Sequence, residues 1–255
     1  MIQLSSELST YTYLILTVIA FTAGFVSAIA GGGGIITLPA LLWAGIPPLD
    51  ALGTNKFQSV FGTLSSTINF LQKGQLNLRP LWPGLLAAII GSCLGTLTVA
   101  SLGEAGLNTL LPILLIAIAL YFILSPRISD IDSKPRISNV TFNLVVGGGL
   151  GFYGGFFGPG MGSICAAAFA ALLGYNMRAA TASTKPIVLA TNVTSMLIFI
   201  AGGHVFLLLA IAMSFAQVVG ARLGSNLVIA RGASIIKPVI IIATIAVAIK
   251  LLVED

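Results

Sequence analysis

The sequence predicts an all-α polytopic membrane protein made of two inverted repeats, each with four long transmembrane helices and one short glycine-flanked helix. Three observations lead there. Hydrophobic residues are 57% of the 255-residue chain and charged residues 7%, with a mean hydropathy of +1.06, so a water-exposed surface of this size could not be covered with polar groups. Several apolar windows reach the roughly 20 residues that a helix needs to cross the hydrocarbon core. The chain also repeats itself without gaps at an offset of 129 residues, which carries Gly31, Gly33, Ile35, Gly45, Ala51, Lys56, Ser66, Phe70, Gly74, Gly91 and Gly95 onto Gly160, Gly162, Ile164, Gly174, Ala180, Lys185, Ser195, Phe199, Gly203, Gly220 and Gly224. Two copies of a hydrophobic unit, each broken by glycines, are the pattern of a repeat-built carrier.

The first repeat, residues 1–124, opens with an apolar helix over Tyr11 to Ala30 that runs into Gly31-Gly32-Gly33-Gly34. No basic residue precedes it and no polar, small-residue cleavage site follows, so it is read as a retained helix and not a cleaved signal peptide. A short helix over Ile35 to Ala44 comes next, then the turn Gly45-Ile46-Pro47-Pro48, and long helices over Thr54 to Leu71, Leu81 to Leu102 and Leu107 to Leu124. Residues 125–139 carry Arg127, Asp130, Asp132, Lys134 and Arg136 and form the one extended polar linker, read as cytoplasmic. The second repeat, residues 140–255, follows the same plan: Val140 to Gly158, the break Pro159-Gly160-Met161-Gly162, a short helix Ile164 to Leu173, then Ser183 to Ala201, Val205 to Ala230 and Ile235 to Leu252.

Loop charge decides how the repeats are related. The loop with Lys73 and Arg79 is expected to be cytoplasmic, and the turn with only Glu104 external. In the second half the equivalent of the first loop holds only His204, and the equivalent of the second holds Arg231 and Lys237. Equivalent loops therefore lie on opposite sides, which is inversion. Inversion needs an odd number of crossings per half, so five plus five are expected, with both termini outside.

Glycines in mid-membrane free backbone amides that need protein or a water-filled cavity, and a helix restarting after such a break turns its positive end toward it. The glycines Gly31, Gly33, Gly160 and Gly162 are therefore candidates for contact with an anion; close helix packing is the competing use of such residues. The triplets Thr54-Asn55-Lys56 and Ser183-Thr184-Lys185 open the following long helices. A lysine at bilayer depth costs at least about 2.5 kcal/mol on insertion scales, and these helices offer no carboxylate partner; the nearest acid, Asp50, has Ala179 as its counterpart. Two unpaired ammonium groups flanked by hydroxyl and amide groups suit a small anionic substrate, the alternative being that both lysines snorkel to headgroups from helix ends. Further polar residues on the same helices, Gln58, Ser59, Thr63, Ser65, Ser66 and Asn69 against Thr191, Asn192, Thr194 and Ser195, either line a path or stitch helices together. Arg222 is read as marking a cytoplasmic helix end, and the Gly91/Gly95 and Gly220/Gly224 pairs as close-packing seams. No metal-ligand spacing, catalytic base or cofactor motif is present, Cys93 and Cys165 read as packing residues, and nothing supports nucleic-acid binding or enzymatic chemistry.

At these residues the chain resembles the TauE/SafE family of sulfite and organosulfonate transporters: Gly31-Gly32-Gly33-Gly34 through Pro39, the Gly45-Ile46-Pro47 turn and Ala51-Leu52-Gly53-Thr54-Asn55 in one half, then Gly151 through Gly155, Gly158, Gly160, Gly162, Gly174 and Ala180-Thr181-Ala182-Ser183-Thr184 in the other. Ala168, where Pro39 has its approximate echo, and Met161 depart from the pattern. The resemblance implies a multi-pass inner-membrane permease for sulfite, sulfoacetate, thiosulfate or related anions, many such carriers being exporters; the sequence itself leaves open whether the protein works alone or as a homodimer. A cation or metal permease and a non-transporting membrane assembly factor are the rivals.

Overall fold

The computed structural model describes residues 8–124 and 132–232; the predicted helix over Ile235 to Leu252, both chain ends and most of the charged linker lie outside the described residues. The described chain is helical. Helix α1 (Thr10–Ala30) is capped by the Ser9 hydroxyl, which accepts from Thr12 N at 3.2 Å, and closes on Gly31 in the left-handed conformation. Helix α2 (Gly33–Trp43) is the short one, and α3 (Pro48–Gln72) starts with proline at its first position, where the missing amide is not needed. Helices α4 (Trp82–Ser101) and α5 (Gly103–Leu124) complete the first half. In the second, the single turn α6 (Asn139–Thr141) passes through a π-helical stretch (Phe142–Val146) into α7 (Gly147–Phe156), followed by α8 (Met161–Leu173), α9 (Met177–Ala201) and α10 (Leu207–Arg231).

The 129-residue offset is written into the backbone. Helices α3 and α9 have bounds that superpose under it, and positive φ angles recur at Gly31 and Gly160 (both 78°), Gly45 and Gly174 (80° and 74°), Gly74 and Gly203 (65° and 79°), and Gly103 and Gly232 (67° and 57°). Helices α3 and α9 run in opposite directions. The turn after α9 meets the start of α3 through His204 and Asp50 (2.9 Å), while the far end of α3 reaches α10 through Gln72 and Arg222 (3.1 Å). Helix α10 packs along α1, with Gly220 and Gly224 against the backbone of Phe21 and Phe25; α4 packs along α7, with Gly91 and Gly95 against Gly148, Phe152 and Phe156. Any Cβ at these four glycines would fall on a neighbouring carbonyl, so they are close-contact seams.

Polarity is distributed inside out. On the exterior, Leu14, Val18 and Phe21 of α1, Leu86, Ile90, Leu94 and Leu97 of α4, and Leu208, Ile211, Phe215, Val219 and Leu223 of α10 are exposed, in helical steps of three to four. Thr54, Asn55, Lys56, Gln58, Ser66, Asn69, Thr184, Lys185, Thr191 and Ser195 are buried. Among the described residues four helical segments are long and apolar enough to cross a membrane, Thr10–Ala30, Arg79–Ser101, Met177–Ala201 and Leu207–Arg231. This is a multi-pass membrane protein. Two apolar clusters lie toward opposite ends of the bundle, one around Leu41, Leu52, Phe199 and Leu209 and the other around Phe70, Leu81, Phe142 and Val228. The glycine breaks and the buried polar residues lie between them.

Candidate functional site

The breaks are shorter than their glycine runs suggest. Helix α2 restarts at Gly33 instead of Ile35, and α8 at Met161 instead of Ile164, so Gly33 and Gly162 belong to first turns and only Gly31-Gly32 and Phe157 to Gly160 are outside helices. The reason is that each glycine tolerates helical as well as left-handed backbone, and only the cap positions require the latter. The two breaks meet. A Cβ at Gly162 would stand 2.7 Å from Gly31 Cα, and one at Gly34 would stand 3.2 Å from Pro159 Cα. The Ser163 hydroxyl donates to the Ala30 carbonyl, so the carboxyl end of α1 abuts the amino end of α8. The positive helix end expected to face an anion is thus partly answered by the negative end of a helix from the other half.

The two triplets also sit deeper than expected. Because α3 begins at Pro48 and α9 at Met177, behind the Asn176 cap, Lys56 and Lys185 occupy the third turn of their helices and not an end. Both are buried, at 2% and 3% exposure, so snorkelling to a headgroup is ruled out. Nor are they wholly unpartnered, as the sequence had implied. Lys185 Nζ donates to the Ser27 carbonyl of α1 at 2.8 Å, and Lys56 Nζ donates to the Gly154 carbonyl of α7. Each lysine therefore reaches into the opposite half and meets a carbonyl in the last turns of the helix before the break. That carbonyl is where a helix carries partial negative charge. Gly158, at φ +97°, leaves the room for the Lys56 ammonium, which a Cβ there would overlap. An ammonium has three donors and one is engaged here, and no carboxylate pairs with either lysine among the described residues.

The remaining triplet residues divide. Asn55 is buried with its Oδ1 accepting from Thr37 Oγ1 at 2.6 Å and Gln58 Nε2 at 3.1 Å, which ties α3 to the short helix beside Pro159. Thr54 accepts from Phe206 N at 3.0 Å and so holds the entry to α10. Thr184 donates to the Thr181 carbonyl of its own helix at 2.8 Å, and Ser183 is buried beside it. Next to Lys185 is a cleft lined by Ser27, Gly31, Thr63, Ser66, Gly162 and Gln217, with free room for about one water molecule.

Three of these features were not anticipated. Thr37 lies in a wholly apolar stretch and has Ala166 as its repeat equivalent, and Ser27 and Gln217 gave no repeat signal, their equivalents being Phe156 and Ala88. The Asp50–His204 pair was legible in one respect, since neither member has a like counterpart: Asp50 answers to Ala179 and His204 to Gln75.

A multi-pass helical bundle whose buried cations flank two touching breaks is a membrane transporter by class. The chain belongs to the Sulfite exporter TauE/SafE family, which it matches over residues 16–251. It is 42% identical over 241 residues to "Probable membrane transporter protein" of Haemophilus influenzae, covering 94% of each chain. It is 43% identical over 248 residues to "Probable membrane transporter protein ORF9" of a Sinorhizobium species, covering 97% of this chain and 95% of that one. It is 40% identical over 241 residues to "Probable membrane transporter protein YfcA" of Escherichia coli K12, covering 94% and 90%. No solved structure matches the chain.

Proposed function

We propose that this transporter is an inverted-repeat permease that moves small sulfur-containing anions, of the sulfite, sulfoacetate or thiosulfate class, out of the cell across the inner membrane. The observation that carries the reading is the pair of buried lysines, each bonded to one backbone carbonyl and without a carboxylate partner among the described residues, beside the meeting point of the two breaks. An ammonium held by a neutral carbonyl has no carboxylate to cancel its charge, and so remains available to pair with an anionic substrate. Asn55, Ser183, Thr184 and the backbone of Gly31, Gly33, Gly160 and Gly162 are the neighbouring polar groups; Thr54 contributes by positioning α10. Export agrees with an inside-negative potential, which drives an anion outward by about 2.3 kcal/mol per charge at 100 mV.

Inversion and the two repeats, residues 1–124 and 140–255, are supported by the antiparallel course of α3 and α9 and by the recurrent left-handed glycines. The orientation follows from charge. Lys73, Arg79, Lys134, Arg136, Arg178 and Arg222 gather at one end of the bundle, with Asp50 and Glu104 at the other, so the basic end is assigned to the cytoplasm. The cation-permease alternative has one observation of its own: the buried amide oxygens Gln58 Oε1 and Asn69 Oδ1 lack a hydrogen-bond donor. Uptake of radiolabelled sulfite into proteoliposomes held at set membrane potentials, with sulfoacetate and thiosulfate as competitors and sodium gradients varied, separates the two. Saturable flux that follows the potential without a sodium gradient supports the anion permease; no anion flux under any condition overturns it.

A further inference from the structure

Resting on the permease reading, we infer that the protein has a second anion vestibule, around Lys56, which is shut in this structure and is the repeat image of the cleft beside Lys185. Adding or subtracting 129 turns the residues of the Lys185 cleft into those of a second one. Gly31 becomes Gly160, Thr63 becomes Asn192, Ser66 becomes Ser195, Ala221 becomes Ser92 and Lys185 becomes Lys56. The image keeps the character of a polar site: a lysine, an amide and two hydroxyls, all buried at membrane depth. Hydrophobic side chains would pack α4, α7 and α9 together at lower cost, because each buried hydroxyl must find a partner.

Those hydroxyls bond to one another and zip the interface closed. Ser92 Oγ donates to the Thr191 carbonyl at 2.9 Å and lies 3.0 Å from Ser195 Oγ; Thr96 Oγ1 donates to Ser195 Oγ at 2.9 Å and lies 3.2 Å from the Gly155 carbonyl. Two differences between the halves explain why this image is the closed one here. Where the Lys185 cleft has Gly24 and Ser27, the image has Tyr153 and Phe156, and the Tyr153 hydroxyl is anchored to the Pro159 carbonyl at 2.5 Å.

The parts that bound the two clefts are equivalent helices, α10 for Lys185 and α4 for Lys56, and each packs on a glycine seam, Gly220/Gly224 on α1 and Gly91/Gly95 on α7. Lys185 lies in the basic half of the bundle and Ser92, Asn192 and Ser195 in the acidic half. In the second state α4 moves off α9, the Ser92–Ser195–Thr96 bonds break, and Lys56 takes over the anion facing the acidic end. The vestibule would admit the same class of small oxyanion from the other side.

The test uses the full-length protein with Cys93→Ala and Cys165→Ala as background. In Ser92→Cys/Ser195→Cys, oxidative cross-linking is expected to lower sulfite flux at least about tenfold, with recovery on reduction, because closure must be released in each cycle. Independently, Ser195→Cys or, should that variant fold poorly, Asn192→Cys should react with a membrane-impermeant thiol reagent from the Glu104 side, and faster with a sulfite gradient imposed. Full flux through the cross-linked pair overturns the proposal, as does Ser195→Cys and Asn192→Cys both staying unreactive from that side while Ser66→Cys reacts from the other. If the unmodified protein carries no anion the permease reading falls, and the labelling alone then decides whether the second cleft opens.

Discussion

Replacing Lys185 with methionine removes one charge, one hydrogen bond to Ser27 at 2.8 Å and almost no volume. An ammonium about 4 Å from a unit anionic charge attracts it by about 4 kcal/mol at an effective dielectric of about 20. Desolvation of both ions reclaims part of this, leaving about 3 kcal/mol, in the range found when one member of a buried charge pair is truncated. The expected loss in kcat/KM for transport is therefore about a hundredfold. Stability should behave differently. Methionine is spared the about 2.5–3.5 kcal/mol that an intramembrane lysine costs, while the lost charged hydrogen bond removes about 1.5–3 kcal/mol. The two nearly cancel, so the unfolding midpoint in detergent should hardly move. Proteoliposome flux and thermal unfolding of the same preparation check both halves, and Lys56→Met/Lys185→Met should show no flux above empty vesicles. Flux of Lys185→Met within about twofold of the parent would refute the assignment of its charge to the substrate. A collapse of the unfolding midpoint would equally refute it, by making the lysine a clamp between α9 and α1.

Gly31→Ala should cost about 3 kcal/mol, from the left-handed backbone and the clash with Gly162 and Ser163, whereas Gly45→Ala, with open space at its Cβ, should cost only about 1 kcal/mol; unfolding midpoints of the two must fall in that order. Thr54→Val orphans Phe206 N and should destabilise by about 1–3 kcal/mol while leaving the KM for sulfite within about twofold, since the Thr54 hydroxyl is engaged in bracing α10; a large KM change would place it in the binding site. Cysteine placed at exposed Glu104 should react with impermeant reagent in intact cells, and cysteine at exposed Lys73 only after permeabilisation; the reverse pattern would invert the orientation.

Periodicity and composition were enough to place nearly every described helix, because a 20-residue apolar window and a glycine stop are local signals. The offset of 129 residues exposed the pairing of α3 with α9 and of the left-handed caps, since a backbone that needs positive φ keeps its glycine in both copies. What local sequence misjudged was the start of α3 and α9. The polar triplets look like a helix end, yet Pro48 and the Asn176 cap start those helices well upstream, so the lysines are buried in the third turn instead of standing at a helix end. Their partners were illegible for a different reason. A backbone carbonyl exists at every position, and nothing in the side chains of Gly154 or Ser27 marks it as the acceptor for a lysine. Thr37 and Gln217 were missed because the repeat comparison finds only what both halves share.

The crosswise lysine bonds bear on how the protein is made. Ser27 is already in place when Lys185 leaves the ribosome, 158 residues later, so that lysine meets its acceptor as it arrives. Lys56 has no such luck: its acceptor at Gly154 lies 98 residues downstream. At about 5–20 residues per second, the nascent first half must hold an unsatisfied cation for about 5–20 s. During that interval α3, with Lys56 waiting for Gly154 and Thr54 for Phe206, is the segment most exposed to slipping back out of the bilayer or being taken by quality-control proteases. A first half expressed alone would remain in that condition indefinitely, so its survival in the membrane depends on supply of the second.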